Sequence, residues 1–352
     1  MAIYAIWNNK GGVGKSYLTF QVAAEYARTH REQKILVVDL CPQANSSSML
    51  LGGMVSGEEA IENLAGMTPP QTISGYIADR IVSPYVDTHS GANYLTQVYS
   101  KNEYVPDNLY LICGDEELEM QASRIQLACS AGPGNSWQIV HTWIRNLTDD
   151  VRRAWNQDDI TVFLDCNPSF TIYTELAISA SDRLIIPFSA DGSSKRAVRS
   201  VLSLIYGVQR RTGQPQSEFF RNTQQYRMAL PRIYTYVGNR LTQMNNSSAS
   251  AFRNVVLEIF AEVFRVYQAN PGVFVVHPGG SPAPTSRQTF RSMFEHQIND
   301  ANTASVVSGA LGIPICNLTA GTKDFAGRKS HVNQSQLDRQ QPNIRSFVAT
   351  IE

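Results

Sequence analysis

Short runs of apolar and β-branched residues recur along the chain, separated by longer stretches with few helix breakers. Ile3–Trp7, Ile35–Val38, Leu109–Ile112, Ile160–Leu164, Leu184–Pro187 and Ile233–Val237 are continuous runs of strand length. Uninterrupted apolar runs predict strands buried on both faces, as in a parallel sheet covered by helices on either side. Between them, Ser16–Thr29, Ser136–Trp155 and Arg196–Val208 have helix length. Phe252, Val255, Val256, Ile259, Phe260 and Val263 add a stripe of helical period. The alternation predicts an α/β fold: a doubly wound, mostly parallel sheet with helices on both faces and ligands at the C-terminal strand ends. Residues 52–108 read as an acidic, loop-rich insert, and 270–287 as an exposed Pro/Gly-rich loop. Neither suffices for a separate unit, so 1–352 is expected to form a single domain.

Composition narrows the class. With 43% hydrophobic and 17% charged residues in 352, the chain is globular and large enough to bury a sizeable core. No apolar run approaches the roughly 18 residues of a membrane span. The start, MAIYAIWNNKGG, lacks a basic region followed by an apolar stretch, so a cytoplasmic location is expected. Five cysteines without a CxxC pair fit reduced thiols better than a disulfide framework or zinc site. Thirty basic residues balance thirty acidic ones, which excludes a uniformly basic coat but not a local patch.

The strongest chemical signal lies in AIYAIW-NNKGGVGKS-YLTFQVAAEYA: an apolar run, a glycine-rich loop, then a helical pattern. Gly11, Gly12 and Gly14 let backbone N–H groups wrap phosphate oxygens, with Val13 between them and the helix N-terminus adding its partial positive charge. Lys15 would meet the β- and γ-phosphates, and the Ser16 hydroxyl would ligate Mg²⁺; Tyr17 follows directly. The ordinary phosphate-binding motif has a glycine at the position of Asn9, whereas this loop has a second lysine, Lys10, before the glycine pair.

NNKGGVGKS resembles the deviant Walker A loop of the ParA/MinD family of P-loop ATPases. The resemblance implies ATP and Mg²⁺ as cofactors and a homodimer with ATP sandwiched between its subunits. Lys10 would then reach into the partner's site, so that Lys10, Lys15 and Asp39 are the expected catalytic residues. ILVVDLCPQANSS resembles the family's switch I, with Asp39, Pro42, Gln43 and Ala44 matching. Cys41 departs from it: a second aspartate usually orients the attacking water there. A thiol is mostly protonated at neutral pH and substitutes poorly for a carboxylate, so slow intrinsic hydrolysis is expected. ITVFLDCNPS resembles the Walker B strand, making Asp165 a metal residue beside Ser16 and Asp39. Asn239 matches the asparagine that recognises adenine. GALGIPICNL and NIRSFVATIE resemble the family's closing strand and terminal helix.

The partner is expected to be DNA. Between Lys195 and Arg240, nine basic residues face Glu218 alone, a net of +8 in 46 residues. Lys195, Arg196, Arg199, Arg210 and Arg211 are the candidate contacts, because such surfaces bind phosphate backbones without reading sequence. The bland reading pairs this stretch with the eleven acidic residues between Glu58 and Glu119. The resemblance implies a ParA-type ATPase whose ATP dimer binds non-specific DNA, associates with the nucleoid, and answers to a ParB-like or adaptor protein. The alternative is a nucleotide-dependent regulatory or assembly switch that binds a protein partner. Ile344, Phe347, Val348 and Ile351 form an amphipathic face like a MinD membrane anchor, but the segment is short and follows Pro342. It reads as a helix closing the core, so a membrane partner is not expected.

Overall fold

The computed structural model describes every residue except 157–158, 210, 212 and 242–246; the side chains of 240–241 and 247–252 also lie outside the described set. Eight strands build the central sheet: β1 (Ala2–Ile6), β2 (Lys34–Leu40), β3 (Leu95–Gln97), β4 (Leu109–Ile112), β5 (Ile160–Cys166), β6 (Arg183–Phe188), β7 (Arg232–Leu241) and β8 (Glu295–Asn299). They run in the order β3-β4-β2-β5-β1-β6-β7-β8. All neighbours are parallel except β3, which meets β4 antiparallel. A polar hairpin, β9 (Gly321–Phe325) with β10 (Arg328–Val332), stands apart.

Strand side chains alternate between two apolar layers, as the period of two requires. Ile3, Ala5, Leu36 and Val38 enter one layer, with the helices Trp143–Trp155 and Ser194–Tyr206. Tyr4, Ile6, Ile35 and Val37 enter the other, with the helices Lys15–Thr29 and Gln334–Val348. The fold class is therefore the one expected, and all six apolar runs coincide with strands, the first overrunning β1 by Trp7 alone.

Several boundaries differ from expectation. The 52–108 segment is not loop-rich: it holds the helices Gly53–Ala65 and Ile73–Val82. Gly57, Ala60, Ile61 and Leu64 give the first a buried face, and the Thr72 hydroxyl caps the second by accepting from the Gly75 N–H. The predicted helix Ser136–Trp155 breaks at Thr142 into Ser136–His141 and Trp143–Trp155. GALGIPICNL is not the closing strand. Its first residues end the helix Thr303–Leu311, which Gly312 stops at φ +64°. The sheet closes instead on β8, EHQIN, too polar to show as an apolar run. Ile344, Phe347, Val348 and Ile351 are all buried against the second layer, so the C-terminal apolar face serves the core. No helix among the described residues is long and apolar enough to cross a membrane.

Candidate active site

The glycine-rich loop joins the C-terminal end of β1 to the helix Lys15–Thr29, in the middle of the sheet. Gly12 and Gly14 both adopt φ +76°, a left-handed conformation that glycine reaches without a Cβ clash. Side chains from neighbouring segments pin the loop. Asn8, fully buried, donates from Nδ2 to the Pro187 carbonyl at 2.7 Å. Asn239 donates to the carbonyls of Val13 (3.0 Å) and Gly14 (3.2 Å). Asn239 is thus fully buried against the loop backbone and is not among the residues that line the cleft described below.

Lys15 is 5% exposed and bends over the loop, donating from Nζ to the carbonyls of Lys10 (2.8 Å) and Asn8 (3.3 Å). Burial lowers its pKa, while the nearby Asp165 carboxylate acts upward. Ser16 and Tyr17 line a cleft of about 500 Å³ together with Gly12, Gly14, Cys41 and Gln43. The Tyr17 hydroxyl donates to Gln340 Oε1 at 2.9 Å, tying the cleft to the terminal helix.

Asp39 and Asp165 sit opposite each other in register, at the ends of β2 and β5. Both are fully buried. Asp39 Oδ1 accepts from the Cys41 N–H (3.1 Å), and Oδ2 accepts from the Ser47 N–H (3.0 Å) and hydroxyl (2.8 Å). The Ser47 Oγ in turn accepts from the Gly114 N–H at 2.9 Å. Asp165 Oδ1 accepts weakly from Thr19 at 3.5 Å, and its Oδ2 has no hydrogen-bond partner among the described residues. Burial raises both carboxyls above the usual range, and the Asp39 charge raises Asp165 further. The Ser16 hydroxyl and the Lys15 charge oppose the rise at Asp165. Two buried carboxylates, one with an orphaned oxygen next to a serine hydroxyl, form an oxygen donor set that fits Mg²⁺. Cys41 Sγ is pushed up to about 12 by burial and by the two aspartates, so the thiol is neutral.

Lys10 lies against its own chain. Its Nζ pairs with Asp191 and donates to Ser189 Oγ (3.1 Å) and Ser194 Oγ (3.3 Å). Although partial burial acts upward on Asp191, hydrogen bonds from Lys10, Ser189 and Ser193 hold its carboxyl well below the usual carboxylate range. Two members of the basic stretch are engaged nearby: Lys195 with Glu258 at 3.0 Å, Arg199 with Glu262 at 2.9 Å. Their partners come from the helix Ser247–Ala269, not from the acidic 58–119 segment. Arg196 and Arg211 are exposed, and Arg210 lies outside the described residues.

Sequence reasoning missed Thr19, Ser47, Gly114 and Asp191. Thr19 follows Ser16 by three residues and so shares its helix face, a usable signal. The serine run after Ala44 hinted at Ser47. Gly114 and Asp191 follow different strands, and nothing local marks them.

A family model described as an AAA domain matches residues 1–216, more than half of the chain. The chain belongs to that family. Its fold is that of the ParA/MinD-type P-loop ATPases. The ATP complex of a McdA variant from Cyanothece superposes with a TM-score of 0.60 at 14% identity, covering 100% of this chain and 98% of that one. Apo McdA from Cyanothece gives 0.51 at 16% identity over 83% and 89%, and pNOB8 ParA gives 0.50 at 16% over 84% and 80%. Two relatives from Pseudomonas putida, an uncharacterized protein and one in the gidB 3′ region, are each 26% identical over 190 residues. The match spans 54% of this chain and 56% of those relatives, about half of their length.

Proposed function

We propose that this chain is a Mg-ATP-dependent, dimerising ATPase of the ParA type whose ATP-bound dimer uses non-specific DNA as a surface to partition or position cargo. The observation that carries the proposal is the two-lysine glycine loop set on a ParA-type fold, above two facing buried carboxylates. The loop backbone and Lys15 bind the phosphates, and Lys15 neutralises charge that develops on them. Ser16 and Asp165, with Asp39 behind them, would hold Mg²⁺, which when bound offsets charge on the β- and γ-phosphates. Asp39 fixes switch I through Ser47 and Cys41, so the segment that senses the γ-phosphate is tied to the metal side of the site. Lys10 leaves Asp191 to reach the phosphates of a second copy. Hydrolysis is slow in isolation, since Cys41 offers no carboxylate, and a ParB-like or adaptor protein accelerates it.

One observation favours a second reading. Lys195 and Arg199 already hold Glu258 and Glu262, which leaves fewer free cations for DNA than the sequence suggests. A switch whose ATP dimer binds a protein partner would need none of them. DNA-binding anisotropy without nucleotide and with ADP, ATP or a slowly hydrolysed analogue, at two salt concentrations and with parallel light scattering, separates the two. Binding that needs ATP, weakens steeply with salt and accompanies a doubled mass supports the DNA surface. A doubled mass without DNA binding selects the protein switch. Lys10→Ala is expected to abolish the doubling while leaving nucleotide affinity of the monomer within about two-fold.

A further inference from the structure

Hydrolysis of ATP needs a group to take the proton of the attacking water. Three candidates near the loop are poorly suited. Cys41 is a buried, neutral thiol. Asp39 has both oxygens engaged by switch I. Asp165 is fully buried under the loop, on the side assigned to the metal.

A fourth candidate remains. Glu58 is the one acidic side chain among the described residues that lines the cleft, sharing it with Ser16, Cys41, Gln43 and Pro168. Close packing puts it there. A Cβ on Gly57 would lie 2.1 Å from the Ser48 carbonyl oxygen, so only glycine lets the helix Gly53–Ala65 press against the switch helix Asn45–Leu50. A Cβ on Gly53 would lie 2.2 Å from the Ala310 carbonyl oxygen, which fixes the same helix from its other side. Two close glycine contacts thus fix the turn that carries Glu58. Its charge also bears on Cys113, the residue before Gly114 and thus next to the Asp39 network. No hydrogen bond or ion pair among the described residues engages the Glu58 side chain, so its carboxylate is left without a structural task.

We propose that Glu58 accepts the proton of the attacking water, from the wall of the cleft, in place of the aspartate that switch I lacks at Cys41. The proposal rests on the ATPase reading above. The water oxygen bonds to the γ-phosphorus as the bond from that phosphorus to the β–γ bridging oxygen breaks. The electron pair of that bond stays on ADP, and the water proton passes to Glu58. Glu58 then releases the proton to phosphate or solvent, leaving ADP and inorganic phosphate.

Steady-state kinetics and binding of a fluorescent ATP analogue on the full chain test it, with wild type, Glu58→Gln, Cys41→Asp and the double variant. Glu58→Gln is expected to lower kcat by about 100-fold while KM and analogue affinity stay within about three-fold. Cys41→Asp placed in Glu58→Gln is expected to restore at least about ten-fold of that loss. A Glu58→Gln kcat within about three-fold of wild type overturns the proposal. So does an equal loss of affinity, or a kcat loss that Cys41→Asp leaves untouched. Wild type that binds no ATP would instead overturn the ATPase reading, and this proposal with it.

Discussion

Asp39 is held in place by Cys41, by Ser47 and, through Ser47, by Gly114. Gly114 matters most among them, because its backbone N–H reaches Ser47 and its missing side chain leaves room for Asp39. A Cβ at position 114 would stand 2.9 Å from Asp39 Cγ and 3.1 Å from the Cys41 carbonyl oxygen. One of these atoms must shift, and both belong to the segment that resembles switch I. Gly114→Ala is therefore expected to cost about 1–3 kcal/mol in urea unfolding and to weaken ATP-analogue binding. Unchanged stability and affinity would show that switch I yields freely there. Cys41→Asp alone tests the other side of the same site. It puts a carboxylate where the family usually carries one, and basal turnover is expected to rise; an unchanged or lower rate would reject a missing carboxylate as the limit. The pattern of side chains explains what the sequence made legible. Lys15, Ser16, Asp39 and Asp165 each sit within about ten residues of an apolar run, so their place at strand ends could be read directly. Gly114 and Asp191 also follow apolar runs closely, but no motif marks them, because they act through contacts with the loops after neighbouring strands.

At the level of elements, the loop after β1 and the loop after β6 meet through Lys10 and Asp191. Asp191 also accepts from Ser193 at the start of the helix Ser194–Tyr206, so one carboxylate joins Lys10 to the helix that carries Lys195 and Arg199. The lysine expected to act in a partner's site is thus held in its own chain. Asp191 is nearly half exposed, so the pair contributes about 1 kcal/mol or less. For the ATP-driven dimerisation proposed above, Asp191→Asn is expected to lower the midpoint protein concentration by up to about five-fold, read by light scattering across a dilution series. A midpoint that does not move would mean that the pairing offers no resistance to release. The same scale shows where apolar patterning fails as a guide. β8 is an edge strand of polar residues, and its place is set by pairing with β7 rather than by its own composition. The helices at 53–65 and 73–82 lie in a segment read by its acidic count, and that count concealed their apolar faces.

For the whole molecule, the terminal helix and the edge of the sheet close the core together, and two histidines sit at that closure. His277 stacks on Tyr234 with ring centroids 4.0 Å apart, and its Nε2 lies 2.9 Å from the Tyr234 carbonyl oxygen. His296, on β8, packs against Phe347 of the terminal helix at 5.1 Å, and its Nε2 has no hydrogen-bond partner among the described residues. Burial, and then the charge of His277, lower His296 from 6.5 to about 4. Between those two values the unfolded chain binds a proton that the folded chain refuses. Stability contributed by the neutral ring is therefore present above pH 6.5 and is lost as pH falls toward 4. By about pH 5 the loss is expected to be about 1–2 kcal/mol relative to about pH 8. Urea unfolding at both pH values, on wild type and on His296→Asn, checks it: the variant is expected to lose less stability than wild type on acidification. Equal losses would place the acid sensitivity elsewhere. A smaller loss in the variant would tie it to the contact between β8 and Phe347, the same closure that buries the C-terminal apolar face.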